Sequence, residues 1–241
     1  MQNSIELVKR AIEFKGPDRV PYNFDSNRTP EIPTKYGDDL VWLFLDEHPD
    51  FKPSVAGERE TGVVYETLDE KVMGLPKVHP LADISRLKNY RLPDYTDPLR
   101  YKTLEKEMKK YPDKYLLGMF PVSLFQMLID LMGFENFMVA PMLYRDEFEH
   151  LLDMLLEQMI GVVNGMADRG IHGIIDIDDM GLQDRLMVSP RLWRDLWKPR
   201  YARLMDAAHR RNIHIFAHIC GYIIDIIDDL IEVGLDARKA V

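Results

Sequence analysis

Short apolar runs alternate with helical segments through the second half of the chain, and no other sequence feature constrains the fold as strongly. Three runs occupy 115–120, 171–177 and 213–220, and a fourth begins at Leu235. Residues with helical periodicity follow each of the first three runs. A strand followed by a helix, repeated at intervals averaging roughly 40 residues, is typical of βαβ units and a parallel sheet. We therefore predict an α/β fold.

A parallel sheet of this kind either closes into a (β/α)8 barrel or stays open as a doubly wound sheet. Open sheets that bind dinucleotides carry a GxGxxG motif between a strand and the helix that follows it. No predicted strand of this chain is followed by that motif. Its absence favours the (β/α)8 barrel.

Residues 1–112 are less regular than the rest of the chain because prolines interrupt them repeatedly. The elements predicted there are short: helices over 4–15 and 38–47, and an extended piece over 62–67. No Gly/Ser-rich linker separates this part from the regular βα units of 113–241. We therefore predict a single barrel domain over 1–241 with an irregular N-terminal part.

Composition excludes several classes of function. The 31 Lys and Arg residues are outnumbered by 40 Asp and Glu residues, which argues against a nucleic-acid partner because such proteins need a basic face. The chain has a single cysteine, Cys220, so it forms no internal disulfide and suits a reducing compartment. No stretch reaches the about 18 uninterrupted apolar residues of a membrane span, and the N-terminus lacks a signal-peptide pattern. We expect a cytoplasmic protein that acts on a small molecule.

Polar residues alternate with apolar ones along the run 213–220. The apolar positions are Ile213, Ile215, Ala217 and Ile219, and the other face carries His214, Phe216, His218 and Cys220. His218 and Cys220 lie at the carboxyl end of the run, where barrel enzymes place their active sites. Imidazole and thiolate two residues apart on one strand face are suited to zinc. The alternative is a buried cysteine beside a hydrogen-bonded histidine, since two ligands do not complete a site.

Three carboxylates end the preceding run, at Asp176, Asp178 and Asp179. Clustered carboxylates are costly unless they are solvated, paired or used, so Asp178 and Asp179 are candidate catalytic residues. Gln183, in the same loop, is a candidate for a hydrogen bond to substrate. The alternative is an acidic loop start in which one carboxylate caps a turn.

Two further candidates for substrate binding follow the first predicted strand. Asp25 and Arg28 lie in a loop that would face a ligand at the mouth of the sheet. A solvated loop is the alternative.

Several short segments carry a family resemblance. They read PDRVP at 17–21, VHPLAD at 78–83, YRLPD at 90–94, DDMGLQ at 178–183, VSP at 188–190, KPRY at 198–201 and HICG at 218–221. Together they resemble the uroporphyrinogen decarboxylase superfamily, in the branch of cobalamin-dependent methyltransferases. The HxCG segment with the upstream Asp-Asp loop is the more specific part, whereas PDRVP alone is not specific.

The resemblance implies a (β/α)8 barrel and a zinc-assisted, corrinoid-dependent transfer of a methyl group to a thiol or corrinoid acceptor, with a corrinoid protein as partner. In that branch a His and a Cys bind zinc together with a later Cys. His218 and Cys220 match the first two ligands, and the third has no counterpart because Cys220 is the only cysteine. Asp178 or Asp179 would then orient a zinc ligand or the substrate without binding the zinc ion itself.

Two other functions stay open at this point. Decarboxylases of the superfamily clamp an acidic porphyrinogen with an Arg-rich stretch after the first strand, where this chain has only Arg28, and where Asp25 would repel the substrate. An Asp of the loop 176–179 would stabilise a protonated pyrrole in such an enzyme, without a metal. The third reading is an inactive barrel that binds a tetrapyrrole or a protein partner.

Family members continue past the position of Asp236 through further βα units, whereas this sequence stops at Val241. We expect a barrel truncated at its C-terminus, with the last strands missing. Unpaired strand edges and exposed apolar surface would result. Either the sequence is a fragment or an early-terminated product, or another chain covers these surfaces. Our hypothesis is that a homodimer covers them.

Overall fold

The computed structural model describes residues 2–24, 37–67 and 74–239 of the chain. Within them, five strands form one parallel sheet in the spatial order β1-β4-β5-β6-β7. The strands are β1 (Leu40–Leu43), β4 (Tyr115–Met119), β5 (Gly173–Ile177), β6 (His214–His218) and β7 (Ala237–Lys239). A separate antiparallel pair is formed by β2 (Val64–Glu66) and β3 (Leu75–Val78).

Helices connect the parallel strands. They are α1 (Ser4–Ile12), α2 (Lys102–Met108), α3 (Gln126–Met132), α4 (Phe134–Leu143), α5 (Arg145–Asp168), α6 (Pro190–Leu196), α7 (Lys198–Arg210) and α8 (Ile227–Glu232), with 3-10 turns at Ile84–Asn89, Pro98–Tyr101 and Ile224–Ile226. The helix α6 begins at Pro190, and the Ser189 hydroxyl caps it by accepting the Leu192 N–H at 3.2 Å. No described helix is long and apolar enough to cross a membrane.

The helix predicted over 38–47 is wrong, because its centre is the strand β1. Leu40 to Leu43 pair with Tyr115 to Gly118 of β4 along their whole length. A run of four apolar residues cannot be assigned to helix or strand by periodicity. The ladder to β4 decides the conformation here, and that contact joins residues about 75 positions apart in the sequence.

Strand alternation divides the core into two faces. Ile174 of β5 and Ile215 of β6 pack in the large cluster beneath the helices. Ile175 of β5 belongs instead to a smaller cluster on the inner face of the sheet, where Phe216 packs against it. Residue Val8 of α1 joins the inner cluster. The helices therefore cover the outer face of the sheet, and the polar face predicted for β6 points inward.

Candidate metal centre

The carboxyl ends of β5 and β6 lie side by side, because Ile177 pairs with His218 in the parallel register. The loops that follow these strands therefore start next to each other. Cys220 Sγ lies 3.2 Å from His218 Nε2. Asp179 Oδ1 accepts the backbone N–H of Cys220 at 3.1 Å. The sheet thus brings the predicted His–Cys pair and one of the predicted carboxylates into one half-buried cluster.

The donor atoms of Asp179, His218 and Cys220 all lie within 4.8 Å of one another. A nitrogen, a sulfur and an oxygen donor around one point match the ligands that zinc takes in proteins. The three side chains are half-buried. On the chemistry of this donor set, the residues present fit a zinc ion.

Electrostatics in the cluster favour a cation. The neighbouring carboxylate of Asp179, and burial after it, raise the pKa of the Cys220 thiol. A thiol that faces a carboxylate keeps its proton unless a positive charge is placed between the two groups. Metal binding displaces such a proton because the thiolate is the ligand.

Asp178 points to the other face of the sheet and is fully buried. Its Oδ2 accepts the Tyr201 hydroxyl at 2.7 Å and the Phe125 N–H at 2.9 Å, and its Oδ1 accepts the Gln126 N–H at 2.6 Å. Burial raises the pKa of Asp178 to about 6 against the lowering effect of these donors. Asp178 therefore anchors the start of α3, and any effect it has on the cluster acts through the position of Asp179.

Asp176 lies below Asp178 on the same outer face and is also buried. Its Oδ2 is 3.5 Å from the Tyr201 hydroxyl, and its Oδ1 is buried without a hydrogen-bond partner in the described structure. Burial, followed by the charge of Asp178, raises the pKa of Asp176 well above its usual value.

A cavity of about 680 Å³ opens near the carboxyl ends of β1 and β4. Its walls include Met119 and Pro121 after β4, together with Tyr65, Tyr95 and Arg59 from the irregular part of the chain. Since β4 adjoins β5, the cavity and the donor cluster lie along the same edge of the sheet. The two features share no lining residue.

The walls of the cavity could not be identified from the sequence. Arg100 is 3% exposed and its guanidinium is paired with Glu60, and this pair closes one side. Both residues lie in the stretch that carries no periodic pattern. The Tyr65 hydroxyl donates to Asp130 at 2.6 Å, a contact between segments that no local signal relates.

Of the predicted substrate-binding residues, the structure describes Gln183. Gln183 is exposed on the loop after β5, close in sequence to the cluster. Asp25 and Arg28 lie outside the described residues. The cluster itself is the part of the predicted site that the structure assembles.

A parallel sheet with helices on its outer face and a donor cluster at the carboxyl ends of its strands is the arrangement found in (β/α)8-type proteins. The sequence profile described as uroporphyrinogen decarboxylase (URO-D) matches residues 62–239, well over half of the chain. The chain belongs to the uroporphyrinogen decarboxylase family, as the segments from 78–83 to 218–221 indicated. The segment at 17–21 lies outside the matched range.

A solved structure supports the same fold. The chain resembles a methyltransferase from Methanosarcina mazei with a TM-score of 0.74 and 17% sequence identity, over 99% of this chain and 76% of that one. At this identity the likeness establishes the fold, which confirms the predicted (β/α)8 type. No curated protein sequence matches the chain.

Proposed function

We propose that the chain is a zinc-assisted, corrinoid-dependent methyltransferase that transfers a methyl group to a thiol or corrinoid acceptor. One observation carries this proposal: Asp179, His218 and Cys220 present three different donor atoms within 4.8 Å of one another. The fold match to a protein described as a methyltransferase supports it. Because that match is one of fold alone, the proposal depends on the cluster.

In this proposal His218 Nε2, Cys220 Sγ and a carboxylate oxygen of Asp179 hold the zinc ion. Asp179 takes the position for which the family resemblance implies a later cysteine. Zinc bound there supplies a positive charge that lowers the pKa of an adjacent substrate thiol, so that the thiol reacts as a thiolate. A carboxylate in place of a thiolate donates less charge to the ion, which favours a strong effect on that thiol.

The remaining residues of this edge position the reactants. Asp178 holds the loop after β5 against the start of α3 through the N–H groups of Phe125 and Gln126. The 680 Å³ cavity near the carboxyl ends of β1 and β4 has room for a small-molecule substrate. We place the substrate there, with its reacting end toward β5 and β6. Asp25, Arg28 and Gln183 stay predictions for its binding.

The proposal includes partners and a location. A corrinoid protein is the proposed methyl donor, a homodimer is the proposed assembly, and the cytoplasm is the proposed compartment because the chain carries one cysteine and no disulfide. Sedimentation of the purified chain tests the homodimer directly. A monomer with an intact fold contradicts it.

Zinc content tests the site. We expect about one zinc ion per chain in the wild type and its loss in Cys220→Ala and in Asp179→Ala. Asp184→Ala is the matched control, because Asp184 lies in the same loop, is exposed and pairs with Arg185. Elemental analysis of the purified variants measures the result. A wild-type chain without zinc after zinc addition contradicts the proposal.

Methyl transfer tests the reaction. Methylcobalamin and a small thiol serve as probes, and the rate is followed by the change in corrinoid absorbance. We expect the rate to fall with zinc removal and to recover when zinc is restored. Release of carbon dioxide from uroporphyrinogen by the zinc-free chain would instead support the decarboxylase, and tetrapyrrole binding without turnover would support the inactive barrel.

A further inference from the structure

The loops that follow β5 and β6 are in direct backbone contact. The first loop folds back on itself as a narrow hairpin, in which Gly181 pairs with Leu186. The second loop lies against it, because the Tyr222 N–H donates to the Leu182 carbonyl oxygen at 2.7 Å. This contact joins two loops that begin about 40 residues apart in the sequence.

Two glycines allow the backbones of the two loops to come this close to each other. A Cβ atom at Gly181 would lie 2.5 Å from the Tyr222 nitrogen and 2.6 Å from the Gly221 carbonyl carbon. A Cβ atom at Gly221 would lie 2.3 Å from the Gly181 carbonyl oxygen. Every one of these neighbours is a backbone atom, so no side chain can turn aside to make room. Any larger residue at either position must therefore move the loops apart.

The two metal-ligating loops meet at these glycines. Cys220 precedes Gly221 directly, and Asp179 lies two residues before Gly181. The Asp179 carboxylate accepts the Cys220 N–H at 3.1 Å, so this bond also joins the two loops. We propose that Gly181 and Gly221 are positioning residues, which set the separation of Asp179 from Cys220 and thereby the affinity for zinc; this inference rests on the proposed function.

The other end of the Asp179 segment is already held. The Asp178 N–H donates to the His218 carbonyl oxygen at 3.0 Å, and the Asp178 carboxylate is bound to α3. Asp179 thus lies between a fixed point at Asp178 and the glycine contact at Gly181. Loosening the second point leaves the strand ladder intact and changes chiefly where Asp179 points.

The test uses the full chain with Gly181→Ala and Gly221→Ala. The matched control is Gly170→Ala, because Gly170 also has a positive φ of 84° but a Cβ there meets no atom within 4 Å. Two quantities are measured: amide hydrogen exchange at Cys220 and Tyr222 in the metal-free protein, and the Kd for zinc by competition with a chelator. Circular dichroism establishes that each variant is folded.

We expect exchange at both amides to be accelerated at least about tenfold, and the zinc Kd to rise about 10–100-fold, as for residues that orient metal ligands. The Gly170→Ala control should change neither quantity. Folded glycine variants with wild-type exchange and zinc affinity overturn the inference, and so does global unfolding of both variants beside a folded control. If exchange is accelerated in the glycine variants but no variant binds zinc, and the wild type does not bind it either, the glycines still hold the loops together and the proposed function is wrong.

Discussion

The two ends of β6 carry the same residue on the same inward face, and only one of them belongs to a donor cluster. At the amino end, His214 Nδ1 lies 2.9 Å from the Tyr115 hydroxyl, and the ring stacks on Tyr115. At the carboxyl end, His218 Nε2 lies 3.2 Å from Cys220 Sγ. The residue type and the strand face are identical, so the surroundings of each end make the difference.

The surroundings differ because different parts of the chain pack at the two ends of the sheet. At the amino end, His214 contacts Tyr115, and the carboxylate of Glu13, just after α1, lies 4.0 Å from His214 Nε2. At the carboxyl end, the loops that follow β5 and β6 carry Asp179 and Cys220. Loops can place several donors around one point, whereas at the amino end the Tyr115 hydroxyl of the sheet takes up one ring nitrogen of His214.

Removing each histidine should separate the two ends most clearly. We expect His218→Ala to weaken zinc binding by more than the about 10–100-fold typical of residues outside the ligand set. His214→Ala should leave zinc binding unchanged and lower the free energy of unfolding by about 1 kcal/mol through the lost contact with Tyr115. Zinc titration and urea unfolding measure the two effects. Equal loss of zinc in both variants would remove the distinction between the ends.

Asp178 and Asp184 provide the next test, within one loop. Asp178→Ala leaves the N–H groups of Phe125 and Gln126 and the Tyr201 hydroxyl without their acceptor, so we expect a loss of about 3 kcal/mol in the free energy of unfolding. Asp184→Ala, at an exposed position, should change it by less than about 0.5 kcal/mol. Denaturant unfolding gives both values. A small effect at Asp178 would contradict its role as an anchor.

Acid should affect the two ends of the sheet in opposite directions. Burial lowers the pKa of His172, at the amino end, to about 4. The unfolded chain binds that proton more tightly, so the contribution of His172 is present above its usual pKa of 6.5 and is lost as the pH falls toward 4. Burial raises the pKa of Asp178 to about 6. Its contribution is present below the usual pKa of 3.8 and is lost as the pH rises through 6.

Two variants should isolate these contributions. His172→Asn keeps an acceptor for the Leu116 N–H, which His172 Nδ1 accepts at 2.9 Å. We expect it to lose less stability than the wild type between pH 6.5 and 4. Asp178→Asn should lose less stability than the wild type as the pH rises from 4 to 7. The free energy of unfolding is measured for both variants from pH 4 to 7. If both substitutions changed its pH dependence in the same direction, the pKa shifts of His172 and Asp178 would not be opposite as stated.

Gln183 should give the smallest effect. If it donates a hydrogen bond to substrate, Gln183→Ala raises KM about 2–10-fold, the value of one hydrogen bond, with kcat unchanged. Its exposed position predicts no measurable change in stability. Steady-state kinetics with the thiol probe decide this. An unchanged KM assigns Gln183 to a solvated turn.

Part of the site was predictable because strand geometry has a period of two. The alternation of polar and apolar residues in 213–220 predicted that His218 and Cys220 lie close together near the carboxyl end. The structure places Cys220 Sγ 3.2 Å from His218 Nε2, although β6 ends at His218 and Cys220 lies in the loop that follows. The same alternation could not show which carboxylate faces the cluster. Asp178 and Asp179 are adjacent in sequence, and they point to opposite faces of the sheet. Which of them faces the cluster depends on where β5 ends, and the sequence does not fix that residue.

The sequence by itself determined the alternation of strands and helices, the inward polar face of β6 and the family, because each rests on local spacing or on short motifs. The tertiary structure decided that β1 is a strand, that Asp179 joins His218 and Cys220, and that a cavity forms near the carboxyl ends of β1 and β4. Each of these depends on contacts between segments tens of residues apart, such as the ladder from β1 to β4 and the backbone contact of Gly181 with Gly221. Local propensity carries no information on such contacts, because they stabilise the protein only after the intervening chain has been brought together as a closed loop.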